Sequence, residues 1–292
     1  MEEDNQKRKL KIAYRILLAA AAGIFIVSAC VVLSFFHEEN KEEDAYAEVR
    51  AGAEIRTPNP GDDTEPAKAL IPAENTAGKL RKGFDLKDGM FYYDPDFTDA
   101  FETEGNKDIH KLQESYPDID AWLYIPGTNI SYPVMGAADD AYLTKNYKGQ
   151  QAKSGSLYAY RDALLDPGNK NITVFGHNMK NGSMFGSLKA YLLVDGMFEG
   201  AGKIYWAGAE GVTEYKIFSV YISPADGRQS EGYFGSESGY LEYLQECADK
   251  SVLAPGAAPA FSGDSRILTL STCTSLMGAG ENDRLIIQAV SE

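Results

Sequence analysis

Arg266-Ile267-Leu268-Thr269-Leu270-Ser271-Thr272-Cys273, the polar loop Thr274–Asp283, and then Arg284-Leu285-Ile286-Ile287-Gln288-Ala289-Val290 read as two β-type runs joined by a glycine-containing connection. Apolar and β-branched residues fill both runs, and turn chemistry separates them. Six more runs of the same kind precede them: Ala121–Ile125, Ile130–Val134, Ser156–Tyr160, Ile172–Phe175, Lys203–Trp206 and Thr213–Ile222. With Arg266–Ser271 and Leu285–Val290 this makes eight short strands broken by Gly, Pro, Asn and Asp. Such spacing predicts a closed barrel or a sandwich and not alternating βαβ units.

Helical patterns accompany the strands, so the fold class is mainly β with helices. Between the sixth and seventh runs, Tyr240, Leu241, Leu244 and Cys247 recur at helical spacing. That predicts an amphipathic helix over Ser238–Lys250. From about Asp96 to Ser115, Phe97, Phe101, Ile109 and Leu112 precede the turn signal Tyr116-Pro117 and predict one or two short helices. Residues 76–292 are therefore expected to form one domain.

The N-terminal part has a different texture. Ile16 to Phe36 is a charge-free run of 21 residues, and about 20 span a bilayer as a helix. Lys7, Arg8, Lys9, Lys11 and Arg15 precede it, and Glu38, Glu39, Glu42, Glu43 and Asp44 follow it. The positive-inside rule then predicts residues 1–15 in the cytoplasm, a single-pass anchor over 16–36, and everything from His37 onward outside the cell. Val27-Ser28-Ala29-Cys30 resembles a lipoprotein cleavage box, but the chain stays apolar through Phe36. Residues 37–75 are acidic and rich in Pro and Gly, without an apolar period, and read as a flexible stalk.

A net charge of −15 argues against nucleic acid as a partner, because phosphate contacts need clustered Lys and Arg. Chemistry-bearing residues are scarce, with three histidines and three cysteines. His177 follows the strand Ile172–Phe175, where a side chain can face a cleft; a satisfied core or surface histidine is the competing reading. Cys273 sits at the mouth of its strand, where it is either a small buried hydrophobe or a reactive thiol. Arg284 opens the last strand. Together the three form a coherent device. An imidazole and a guanidinium beside a thiol favour the thiolate, since a free thiol titrates only near pH 8.5. The imidazole can pass a proton to a leaving amine, and the guanidinium can hold an oxyanion. Neither zinc-ligand spacing nor an EF-hand loop is present, so no metal or cofactor is expected.

Thr269-Leu270-Ser271-Thr272-Cys273 matches the TLxTC signature of sortases, with Arg284 at the start of the next strand. Phe175-Gly176-His177-Asn178-Met179, continuing through Phe185, resembles the histidine segment of class B sortases, and Trp122–Val134 resembles their opening strands. The resemblance extends from about Phe97 to Val290. It implies a closed eight-stranded sortase-type barrel with N-terminal helices and a helix between strands six and seven. It also implies His177 as acid/base, Cys273 as nucleophile and Arg284 as oxyanion or substrate clamp. Family members cleave a C-terminal sorting signal of the Asn-Pro-x-Thr kind after Thr and form a thioester. They then pass the acyl group to an amine of the cell-wall peptidoglycan precursor. The segment Asp139-Asp140-Ala141-Tyr142-Leu143 is similar to one that often reads Asn-x-x-Tyr-Leu, which would set Leu143 against the peptide. Phe175 and Ser271 flank the catalytic pair and are further candidates for the substrate wall, with barrel packing as the alternative for each. Ala159 departs from the pattern, standing where relatives often carry Asp.

Two other functions use the same residues differently. A surface cysteine peptidase would let water replace the amine, and a non-catalytic surface binding module would tolerate loss of Cys273.

Overall fold

The computed structural model describes residues 22–31, 34, 45, 46, 49, 105–126, 128–193, 197–200, 202–252, 260–274, 276, 279, 280 and 282–291. The chain divides into two compact units, Met1–Ala47 and Glu48–Glu292. In the first, residues 22–31 are helical, and Ile24, Phe25, Ile26 and Val27 are exposed. No helix among the described residues is long and apolar enough to cross a membrane. Apart from Ser34, the rest of the apolar run lies outside the described residues, as do all of residues 1–15 and nearly all of the expected stalk.

In the second unit, helix α1 (Gly105–Ser115) leads into strands β1 (Ile119–Tyr124), β2 (Ser131–Ala137) and β3 (Leu157–Tyr160). Helix α2 (Arg161–Leu165) and strand β4 (Asn171–Phe175) follow, then the helical turns α3 (Ala190–Leu193) and α4 (Met197–Gly200). Strands β5 (Lys203–Gly208) and β6 (Gly211–Pro224), helix α5 (Glu237–Lys250) and strands β7 (Arg266–Cys273) and β8 (Asp283–Ser291) complete the unit. The strands close in the order β1-β2-β3-β4-β7-β8-β6-β5. Two neighbours are parallel, β2 with β3 and β4 with β7. Closure removes free sheet edges.

Details follow from side-chain chemistry. Pro133 lies within β2 opposite Trp122 of β1, while pairing with β3 begins only at Val134. Its missing N–H therefore falls where the second neighbour is not yet paired. The Trp122 indole is buried and satisfied, donating to Ser131 Oγ at 3.0 Å.

Helix α5 starts at Ser236, whose hydroxyl accepts from the Gly239 amide at 3.1 Å, an N-cap. Its Tyr240, Tyr243, Leu244 and Cys247 pack on Phe218, Ile267 and Val290 of the barrel. Leu244 is fully buried in that seam. Leu244→Ala should lower the unfolding free energy by about 2–5 kcal/mol. Urea denaturation checks this, and an unchanged midpoint would mean that α5 does not belong to the cooperative core.

Candidate active site

The face of β7 and β8 that carries Ile267 and Val290 under α5 also carries, by the period of two, Thr269, Ser271 and Cys273 on one strand and Gln288, Ile286 and Arg284 on the other. Midway along this row the polar groups are buried but bonded. Thr269 Oγ1 donates to Asn171 Oδ1 at 2.7 Å, and Gln288 Nε2 donates to Thr269 Oγ1 at 3.3 Å. The row ends at Cys273, which is exposed and stands directly opposite Arg284. Directly opposed residues share a face, with Cβ atoms about 5 Å apart. The Arg284 Nη1 atom donates to the carbonyls of Asn282 and Asp283 at 3.1 and 3.2 Å, which leaves further N–H groups of the fork for other acceptors.

Strand β4 runs parallel to β7, with Phe175 beside Ser271. The match continues past the strand end. The Gly176 amide donates to Ser271 O at 3.3 Å, and Thr272 Oγ1 donates to Gly176 O at 2.7 Å. Extending that register by one residue on each chain sets His177 and Cys273 at neighbouring positions. Gly176 is needed for this approach, because a Cβ there would come within 2.4 Å of Leu157 Cδ2 and 2.9 Å of Phe185 Cδ2. The loop after His177 folds back on itself, with the Phe185 amide bonded to His177 O at 3.0 Å. Asn129 Nδ2 pins the same loop through Gly182 O at 2.9 Å.

The His177 ring bonds to the backbone of Leu143, with Nε2 2.8 Å from Leu143 O. Leu143 ends a 3-10 turn, Asp140–Leu143, capped by Asp139 Oδ1, which accepts from the Ala141 amide at 2.9 Å. Phe175 stacks on Tyr158 at 5.3 Å and meets Tyr160 edge-on at 5.7 Å, forming an aromatic cluster at the Ser271 end of β4. Ser271 is buried at the foot of the same row. All six residues singled out in the sequence, His177, Cys273, Arg284, Leu143, Phe175 and Ser271, thus gather at one end of the barrel. Ala159 alternates to the opposite face from Tyr158 and Tyr160 and is buried.

The three thiols are free and differ in surroundings. Cys247 is buried on the inner face of α5, and desolvation pushes its pKa up, which suits an inert packing residue. Cys273 opens to solvent at the end of its strand, opposite Arg284. No cluster of His, Cys, Asp and Glu that could hold a metal ion occurs among the described residues.

The sequence model of the sortase domain matches residues 123–292. Sortase B of Listeria monocytogenes is 36% identical over 189 residues, covering 63% of this chain and 74% of that protein. The chain belongs to the class B sortases. It is therefore a cysteine transpeptidase of cell-surface proteins. Among solved structures, sortase B of Clostridium perfringens is similar at 29% identity with a TM-score of 0.57, covering 63% of this chain and 98% of that one. A Staphylococcus aureus sortase B–substrate complex shares the fold at 24% identity and a TM-score of 0.58, covering 64% of this chain and 85% of that one.

Sequence reading missed part of this sortase's site. It set Leu143 against the peptide and did not foresee that the Leu143 carbonyl lies 2.8 Å from His177 Nε2. It also passed over Asp140, which accepts from both Tyr158 and Tyr160 in the turn that ends at Leu143. The Tyr-x-Tyr alternation of β3 was the available signal, since it puts both rings on one face.

Proposed function

We propose that Cys273 is the nucleophile, His177 the proton carrier and Arg284 the oxyanion clamp of a transpeptidase that cleaves Asn-Pro-x-Thr-like signals after Thr. The observation that supports this most is that one face of the barrel end carries all three, with Arg284 directly opposite Cys273 and His177 at a neighbouring position.

The chemistry balances as two acyl transfers. The Cys273 thiolate adds to the Thr carbonyl carbon, forming C–S and putting the electron pair on oxygen, where the Arg284 fork stabilises it. Collapse breaks the C–N bond, and the amine leaves with a proton from His177, giving a thioester on Cys273. An amine of the peptidoglycan precursor then adds to the thioester and gives its proton to His177. The new amide forms as C–S breaks and the thiolate returns. Leu143, Phe175 and Ser271 line the peptide's path, the aromatic cluster offering apolar contact beside Phe175. The charge-free run Ile16–Phe36, cationic before and acidic after, supports a single-pass anchor holding the catalytic domain outside the cell.

Full-length protein in detergent, given a panel of Asn-Pro-x-Thr-type peptides with and without amine acceptors, tests this by mass spectrometry of products. Cleavage after Thr with ligation to the amine is the expected result. Cleavage that no acceptor diverts from water would replace the transpeptidase reading with a peptidase.

A further inference from the structure

An imidazole that moves protons needs a partner that fixes which ring nitrogen carries hydrogen. Here that partner is neutral, the carbonyl of Leu143, 2.8 Å from Nε2. A carbonyl oxygen only accepts, so Nε2 is the N–H and Nδ1 is the nitrogen that gains or loses the working proton. A loop carbonyl can do this only if its loop is held in place. Asp140, at the start of the same 3-10 turn, accepts through Oδ1 from Tyr160 at 2.6 Å and from Tyr158 at 2.9 Å. Both rings pack on Phe175, two residues before His177. One carboxylate therefore ties the turn bearing the acceptor to the strand bearing the donor. Tyr142 adds a second tie, donating to Asp118 Oδ2 at 2.7 Å. Gly155, at φ +58, closes the turn from behind, where a Cβ would come within 2.5 Å of Leu143 O. The hydroxyls stay protonated donors. The bond to Asp140 pushes Tyr160 up to about 12, and burial raises Tyr158 further.

We propose that Asp140 is a positioning residue for His177: through Tyr158 and Tyr160 its carboxylate holds the turn that presents the Leu143 carbonyl to Nε2. This rests on His177 being the proton carrier, and it assigns to Asp140 a role beyond the peptide contact expected of its segment.

The test compares full-length wild type with Asp140→Ala, Asp140→Asn, the pair Tyr158→Phe/Tyr160→Phe, and the three changes Asp140→Ala, Tyr158→Phe and Tyr160→Phe combined. Asp140→Ala should lower kcat about tenfold with KM little changed. Asp140→Asn keeps an acceptor oxygen and should restore most of the loss. The triple variant should be no worse than Asp140→Ala, because the groups act as one unit. With only three histidines in the chain, 15N-imidazole NMR resolves His177. It should show the Nε2–H tautomer in wild type and a mixture in Asp140→Ala, and the Tyr158→Phe/Tyr160→Phe pair provides the same readout if the alanine variant unfolds. A raised KM with unchanged kcat, multiplicative losses in the triple variant, or an unaltered imidazole spectrum would overturn the proposal. Activity surviving in His177→Ala would instead remove the catalytic reading of His177, while the spectra would still decide whether Asp140 sets its tautomer.

Discussion

Cys273→Ala should remove peptide transfer almost completely, by a factor on the order of 10^4 or more, as loss of a covalent nucleophile does in other acyl-transfer enzymes. The remaining groups could still bind the peptide and polarise its carbonyl, but no side chain would be left to take the acyl group. The variant should fold normally. Cys273 is exposed at the end of β7 and fills no core position, and surface substitutions usually change stability by no more than about 0.5 kcal/mol. The distinguishing measurement is kcat/KM for ligation alongside a melting curve. Lost activity with an unchanged melting temperature assigns the thiol to chemistry. Retained activity would require a different nucleophile, and Cys247 is a poor substitute because it is buried between α5 and the barrel.

Arg284 carries the second large expected effect. Its Cα stands opposite that of Cys273, so its side chain shares the thiol's face, and the proposed clamp has its guanidinium meet the charge that develops on the substrate oxygen. Removing a single oxyanion donor typically costs about 100- to 1,000-fold in kcat, and Arg284→Ala should fall in that range. Arg284→Lys keeps the charge but loses the planar fork, so it should recover only part of the loss. Steady-state kinetics on one peptide separates this from simple binding. A substrate anchor would raise KM and spare kcat, whereas an oxyanion clamp lowers kcat. The Nη1 bonds to the Asn282 and Asp283 carbonyls set the starting position of the guanidinium without requiring a partner elsewhere in the barrel.

The strands were legible because their chemistry is local. Alternation and turn residues located all eight to within about three residues, and helical spacing located α5 to within one. The misses have physical reasons. β1 begins at Ile119, where a register shift before Ala121 breaks the alternation on which the expected start relied. β6 continues to Pro224 because that residue's partner is Asp283 at the strand's outer end, where a missing N–H costs little. The parallel neighbours β4 and β7 lie about 90 residues apart in sequence, and no local pattern announces their pairing. In the site, the side chains of His177, Cys273 and Arg284 could be read by type and strand position. The Leu143 contact could not, since every residue has a carbonyl and only the fold decides which one faces a ring. The bonds from Tyr158 and Tyr160 to Asp140 likewise depend on the 3-10 turn lying against β3.

The most direct measurement is to trap the acyl-enzyme. Full-length protein is mixed with an Asn-Pro-x-Thr-type peptide in the absence of amine, quenched in acid within the first turnovers, digested and mapped by mass spectrometry. The expected result is a mass increase equal to the peptide's acyl part up to Thr, carried only by the fragment containing Cys273 and discharged when an amine is added. Ligated product accumulating while that fragment stays unmodified, or an adduct carried by another residue, would contradict Cys273 as the acyl carrier.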